Sequence, residues 1–156
     1  VFGFSTFSSA ATLPLNLDTT NKELGVDRQI ASFVLPLGMT INMDGTAIMQ
    51  VVATLFIAGC GGYDVTIVQL IVIMVLALIA SMGTPAAPGA GAVILFTILS
   101  GVGFTGEQAL IAYTLILAIN RPIEMLVTSL NCVGDSLTAI AVAKSEGKLD
   151  KDIYNS

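Results

Sequence analysis

Apolar residues occupy this chain in long blocks, and polar residues enter those blocks at only a few points. The longest block runs from about Ile30 to Ala58 and is interrupted once, at Thr40-Ile41-Asn42-Met43-Asp44-Gly45-Thr46. A second runs from Val65 to Met82 and stops in Gly83-Thr84-Pro85-Ala86-Ala87-Pro88-Gly89-Ala90-Gly91, where two prolines and three glycines cannot continue a helix. The return arm, Ala92 to Ser100, is too short to span alone, because a bilayer core takes about 20 apolar residues. Residues 108–144 form the last long helix, about 55 Å at 1.5 Å per residue. Residues 1–17 are a short arm rich in hydroxyls, ahead of the polar run Asp18-Thr19-Thr20-Asn21-Lys22-Glu23. The expected order is the end of a first re-entrant hairpin (1–17), a loop (18–28), a broken membrane helix (29–59), a second re-entrant hairpin (65–101), a last membrane helix (106–145) and a tail (146–156).

Composition puts these blocks in a lipid setting. Of 156 residues, 54% are hydrophobic and 11% charged, against roughly 25% charged in a soluble domain. The chain opens on Val1 with no initiator Met and no basic leader, so it is expected to be a piece of a longer protein. A net charge of −5 with no basic run gives no reason to invoke nucleic acid. Cys60 and Cys132 match no metal or redox spacing, and the lack of His removes the commonest catalytic base.

The polar interruptions carry the chemistry. A carboxylate at the bilayer centre costs roughly 2.5–3.5 kcal/mol, so Asp44 needs a partner, and a cation is the natural one. Asn42, Thr40, Thr46 and Gly45 around it would let a helix unwind and turn carbonyl oxygens toward an ion. A soluble core helix with a hydrogen-bonded Asp is the competing reading of this segment. In the last helix Arg121, Glu124, Thr128, Asn131 and Asp135 fall at helical steps on one face. A packing pair between Arg121 and Glu124 explains two of the five and leaves Asn131 and Asp135 unexplained. Gly89-Ala90-Gly91 begins a dinucleotide-binding pattern but lacks its third glycine, its strand and its acidic residue. An intramembrane aspartyl protease also needs two membrane Asp residues, yet Cys132-Val133-Gly134-Asp135 is not Gly-x-Gly-Asp. A chloride-conducting or purely structural membrane module is a third class. Lys22, Arg28, Lys144, Lys148 and Lys151 all fall on one side of the expected topology, which makes the 18–28 loop and the tail cytoplasmic.

Taken in order, these motifs give a resemblance across residues 4–149. Ser8-Ser9-Ala10-Ala11-Thr12-Leu13-Pro14, Asn42-Met43-Asp44-Gly45-Thr46, Pro88-Gly89-Ala90-Gly91 and Asn131-Cys132-Val133-Gly134-Asp135 resemble the transport core of the dicarboxylate/amino acid:cation symporter family, the glutamate-transporter family. The two interrupted segments echo each other as an inverted repeat, a rule drawn partly from an archaeal homologue of this family. The resemblance implies an all-α integral membrane fold: an inverted-repeat core with two re-entrant hairpins and two long helices, one broken at Asn42–Thr46. It implies a sodium-coupled plasma- or inner-membrane carrier, not an enzyme. Such a carrier is usually a homotrimer joined through an N-terminal scaffold, and it works as an elevator in the lipid bilayer. Gly38, Asn42, Asn131 and Asp135 resemble one sodium site, and Asp44 with Asn42 part of another. Thr40, Ser81, Met82 and Thr84 resemble a third. Ser9, Thr46, Ala87, Gly91, Glu124, Val127, Thr128 and Asn131 fall on substrate positions.

Two departures bear on the cargo. The family's last helix commonly carries an Arg where this chain has Val127, and some members carry a hairpin Arg where it has Phe7. Glu124 replaces the Asp that holds an α-ammonium, which argues that an amino group is retained. The expected cargo is therefore a neutral amino acid, with acidic amino acids or C4-dicarboxylates, sodium- or proton-coupled, as the alternative.

Overall fold

In the computed structural model, residues 2–155 are described, and eight helices joined by short turns make up most of them. The helices are α1 (Phe2–Thr6), α2 (Ser9–Lys22), α3 (Arg28–Ile41), α4 (Asp44–Cys60), α5 (Ile67–Met82), α6 (Ala90–Gly101), α7 (Glu107–Ser145) and α8 (Lys151–Tyr154). Among the described residues there is no strand, only one isolated bridge between Val26 and Leu149.

Local chemistry sets most of the helix ends. Ser8 caps α2 by accepting from the Ala11 N–H at 3.3 Å, and Asp27 caps α3 through the Gln29 N–H at 2.8 Å. Thr66 and Gln69 close a capping box at the start of α5. Gly89, in the left-handed region at φ 84°, turns the chain into α6.

Helix α7 is the spine against which α1, α2, α3, α4 and α6 pack. It runs antiparallel to α4: Gly45 lies against Val127 at one end, and Gly61 against Ala109 at the other. Ile57, Ile73, Leu95, Leu99 and Phe104 fill the core between α4, α5, α6 and the first half of α7. Leu35, Val26, Ala139 and Ala143 make a second core toward the other end. Burial of each large aliphatic side chain contributes about 1.5–3 kcal/mol.

Large apolar side chains also lie on the outer surface. Ile67, Phe33, Leu126 and Val52 are all more than half exposed, as a lipid-facing surface requires. The spans Arg28–Cys60 and Glu107–Ser145 are each long and apolar enough to cross a membrane.

Two boundaries correct the sequence reading. Helix α2 does not end near Leu17; it continues to Lys22, because Lys22 pairs with Asp18 at 2.6 Å and buried Thr20 hydrogen-bonds Ser136 at 3.3 Å. The expected loop 18–28 shrinks accordingly. The break in the long span is also narrower than Asn42–Thr46. Only Asn42 and Met43 leave helical geometry, and Asp44 begins the next helix, where a carboxylate interacts favourably with the helix dipole.

Candidate cation and substrate site

The break at Asn42–Met43 is held from outside by α7. The Asn131 side-chain oxygen accepts the Gly45 N–H at 2.8 Å and so satisfies one of the orphan donors that a helix start leaves. The amide nitrogen of Asn131 donates to Thr46 Oγ1 at 3.2 Å and lies 3.5 Å from Met43 Sδ. One turn on, Asp135 Oδ1 accepts from Asn42 Nδ2 at 3.0 Å. The helices meet here without room for side chains. A Cβ on Gly38 would stand 2.6 Å from Asp135 Oδ1, and one on Gly134 would stand 2.7 Å from Asn42 Nδ2 and 3.0 Å from Asp44 Oδ2.

Asp135 is 2% exposed, and among the described residues no Lys or Arg pairs with it. A buried carboxylate with no cationic side chain beside it is costly unless a cation offsets its charge. Among the described residues no cluster of three His, Cys, Asp or Glu exists. The donors available are carboxylate, amide and backbone oxygens, which suit a hard cation and not a thiolate- or imidazole-seeking metal.

The eight residues assigned to substrate line one small cleft. Ser9, Thr46, Ala87, Gly91, Glu124, Val127, Thr128 and Asn131 surround about 40 Å³, together with Phe7, Ser8, Met43, Met49, Thr84, Pro85 and Ala86. That is little more than a water's share of liquid, roughly 30 Å³. Ser8 Oγ donates to the Ala86 carbonyl at 2.8 Å, which joins the α1–α2 turn to this segment. The Gly89 N–H donates to Glu124 Oε1. Arg121 donates to Glu124 Oε2 at 3.3 Å but does not line the cleft.

The third proposed ion site is only partly assembled. Ser81 and Thr84 are buried, Thr40 and Met82 are exposed, the hydroxyls of Thr40 and Ser81 bond within their own helices, and that of Thr84 donates to the Ala80 carbonyl at the end of α5. Helices α3 and α5 pack against each other. Asp44 is exposed. Sequence reasoning passed over Met43 and Met49 as cleft walls, although Met43 sits in the middle of the polar interruption and is 5% exposed.

Comparison with known proteins gives one consistent answer. The model of the sodium:dicarboxylate symporter family matches residues 1–145. The chain is 36% identical over 155 residues to an excitatory amino acid transporter of Caenorhabditis elegans, covering 99% of this chain and 30% of that protein. It is 38% identical over 151 residues to human excitatory amino acid transporter 2 (96% and 26%) and 40% over 139 residues to rat excitatory amino acid transporter 1 (89% and 25%). The chain thus spans between a quarter and a third of the length of these relatives. Its motifs, its all-helical fold and the extent of these matches agree: the chain belongs to the sodium:dicarboxylate symporter family, a family of membrane transporters and not of enzymes.

Proposed function

We propose that this chain is the cation- and substrate-binding core of a sodium-coupled amino acid symporter. The observation that carries the reading is Asp135, a buried carboxylate with no cationic side chain beside it, set against the Asn42 break and Gly38. Sodium, carried as cargo, offsets that charge. Gly38, Asn42, Asn131 and Asp135 serve one ion and Asp44 with Asn42 a second. Carbonyls of Thr40, Ser81, Met82 and Thr84 serve a third once the 83–89 tip closes.

In this reading α1–α2 and α5–α6 are re-entrant hairpins, and the loop after α2 and the tail after Ala143 face the cytoplasm. The chain moves as an elevator against a scaffold elsewhere in the protein, within a homotrimer.

The cargo we propose is a neutral amino acid. Among the described residues no Lys or Arg lines the cleft, and Val127, Met49 and Phe7 form its apolar wall. A carboxylate side chain placed there would be desolvated without a partner, at a cost of several kcal/mol. Thr46 and Thr128 favour small or hydroxylated side chains, and Glu124 holds the α-ammonium. The second reading, an acidic amino acid or a C4-dicarboxylate, is favoured by the names of the family and of the relatives. Uptake of labelled serine, alanine, aspartate and succinate into proteoliposomes of the full-length protein, with and without a sodium gradient, separates the two. Sodium-driven serine or alanine uptake above aspartate supports the neutral reading; the reverse order overturns it. Val127→Arg is expected to move the preference toward aspartate by roughly tenfold or more, the scale at which a site discriminates a paired from an unpaired polar group.

A further inference from the structure

The geometry points to Arg121 as a latch. From outside the cleft it competes with the substrate's ammonium for Glu124, and it ties the two hairpin tips together until that ammonium displaces it. The inference rests on the symporter reading in one respect, that Glu124 receives the ammonium.

Arg121 is the one basic residue away from the two groups near the chain's polar ends, Lys22 with Arg28 and Lys144 with Lys148 and Lys151. A lone guanidinium within an apolar span has a functional reason more often than not. Its side chain is 64% exposed, whereas that of Glu124, one turn on, is 9% exposed. Arg121 therefore has a way out that Glu124 lacks.

Although it does not line the cleft, Arg121 touches two residues that do. It donates to Glu124 Oε2 at 3.3 Å, and its guanidinium carbon lies 5.8 Å from the centre of the Phe7 ring, within range of a cation–π contact. Phe7 has φ 56°, a conformation a bulky residue holds only where its surroundings impose it. The other Glu124 oxygen accepts the Gly89 N–H. A continuous line of contacts thus runs from Phe7 in the first tip through Arg121 and Glu124 to Gly89 in the second, and Ser8 to Ala86 closes the ring. Simple neutralisation of Glu124 would account for the ion pair but not for the seat on Phe7.

With both oxygens engaged, Glu124 offers an arriving ammonium only its remaining lone pairs. The ammonium also meets the like charge of Arg121, which already sits on the same carboxylate. The guanidinium yields by swinging toward its exposed side, which releases Phe7 from one tip while Glu124 turns to the substrate. An acid without an ammonium gives Arg121 no reason to leave.

The test uses the full-length protein, with Cys60 and Cys132 replaced by Ser and a reporter cysteine at Ala90→Cys. Arg121→Gln should lower the KM for a transported neutral amino acid about three- to fivefold, the range of a partly exposed ion pair. Inhibition by the matching 2-hydroxy acid should not change. Without substrate, the reporter should react severalfold faster with a small aqueous thiol reagent. Arg121→Lys, which retains the charge, should keep the parental KM, and Phe7→Leu, which removes the ring, should raise the labelling rate. A rise in KM in Arg121→Gln would make Arg121 a substrate ligand and overturn the latch, as would parental KM and labelling together. If the full-length protein carries no amino acid, the symporter reading fails by itself, and the labelling rates, which need no substrate, still decide the latch.

Discussion

The chain interrupts its apolar spans twice, between α3 and α4 and between α5 and α6, and the two interruptions are built differently. The first is two residues long, and the polar groups around it are tied to α7: Gly45 to Asn131, Thr46 to Asn131 and Asn42 to Asp135. The second, residues 83–89, is made by prolines and glycines. Its ties to the rest of the fold are the Ser8 hydroxyl on Ala86 and the Glu124 carboxylate on Gly89. Polar side chains break a helix and then pin the broken ends in place, whereas Pro and Gly break it and leave the segment short of anchors. In the proposed reading, one interruption holds a fixed site and the other covers and uncovers it.

The largest effect should come from removing the charge at the fixed break. Asp135→Asn keeps the shape and the Asn42 contact but deletes the carboxylate that offsets a desolvated cation. The sodium concentration for half-maximal uptake should rise by roughly two orders of magnitude, the scale of about 3 kcal/mol for an uncompensated buried charge. Unchanged sodium dependence in proteoliposomes would remove this site from the coupling mechanism.

A smaller effect is expected from Asn131→Ala, which leaves the Gly45 N–H and the Thr46 hydroxyl without their α7 partner. Such a loss costs about 1–3 kcal/mol. It should appear as a lower unfolding temperature of the purified full-length protein, with the loss greater than for an exposed control such as Thr138→Ala. Equal losses would mean that α7 does not pin the break.

The smallest concerns the tip. Glu124→Gln keeps an acceptor for the Gly89 N–H but removes its charge, a difference of about 1 kcal/mol. A cysteine at Pro88 should then label severalfold faster in the absence of substrate. If the rate does not change, Glu124 is not an anchor of the tip.

The alignment of the candidate residues was legible in the sequence, because membrane-embedded polar residues are costly and helical spacing aligns them. Asn131 and Asp135 fall on one face of α7 for that reason, and the structure puts them against Asn42 and Gly45. What escaped the reading depends on contacts distant in sequence. Asp18-Thr19-Thr20-Asn21 looks like a loop, yet it is helical because Thr20 finds Ser136 and Asp18 finds Lys22. The loop before α3 is clasped to the tail by backbone bonds, Asp27 N–H to the Lys148 carbonyl at 3.2 Å and Asp150 N–H to the Gly25 carbonyl at 2.8 Å. Backbone pairing of that kind leaves no mark on side-chain pattern. The walls of the cleft at Met43 and Met49 were equally hidden, since methionines in an apolar block look like any other core residue.

The contrast between the two interruptions is tested most directly by amide hydrogen exchange on the full-length protein, followed by mass spectrometry with and without sodium and substrate. Peptides covering 42–47 should exchange slowly in both conditions, because the Gly45 amide is bonded into α7. Peptides covering 83–92, held without substrate only through the Ser8 and Glu124 contacts, should exchange faster than 42–47 and become more protected when sodium and a transported amino acid are present together. Equal exchange of both regions, or a tip that is protected regardless of ligand, would contradict a fixed site beneath a moving cover.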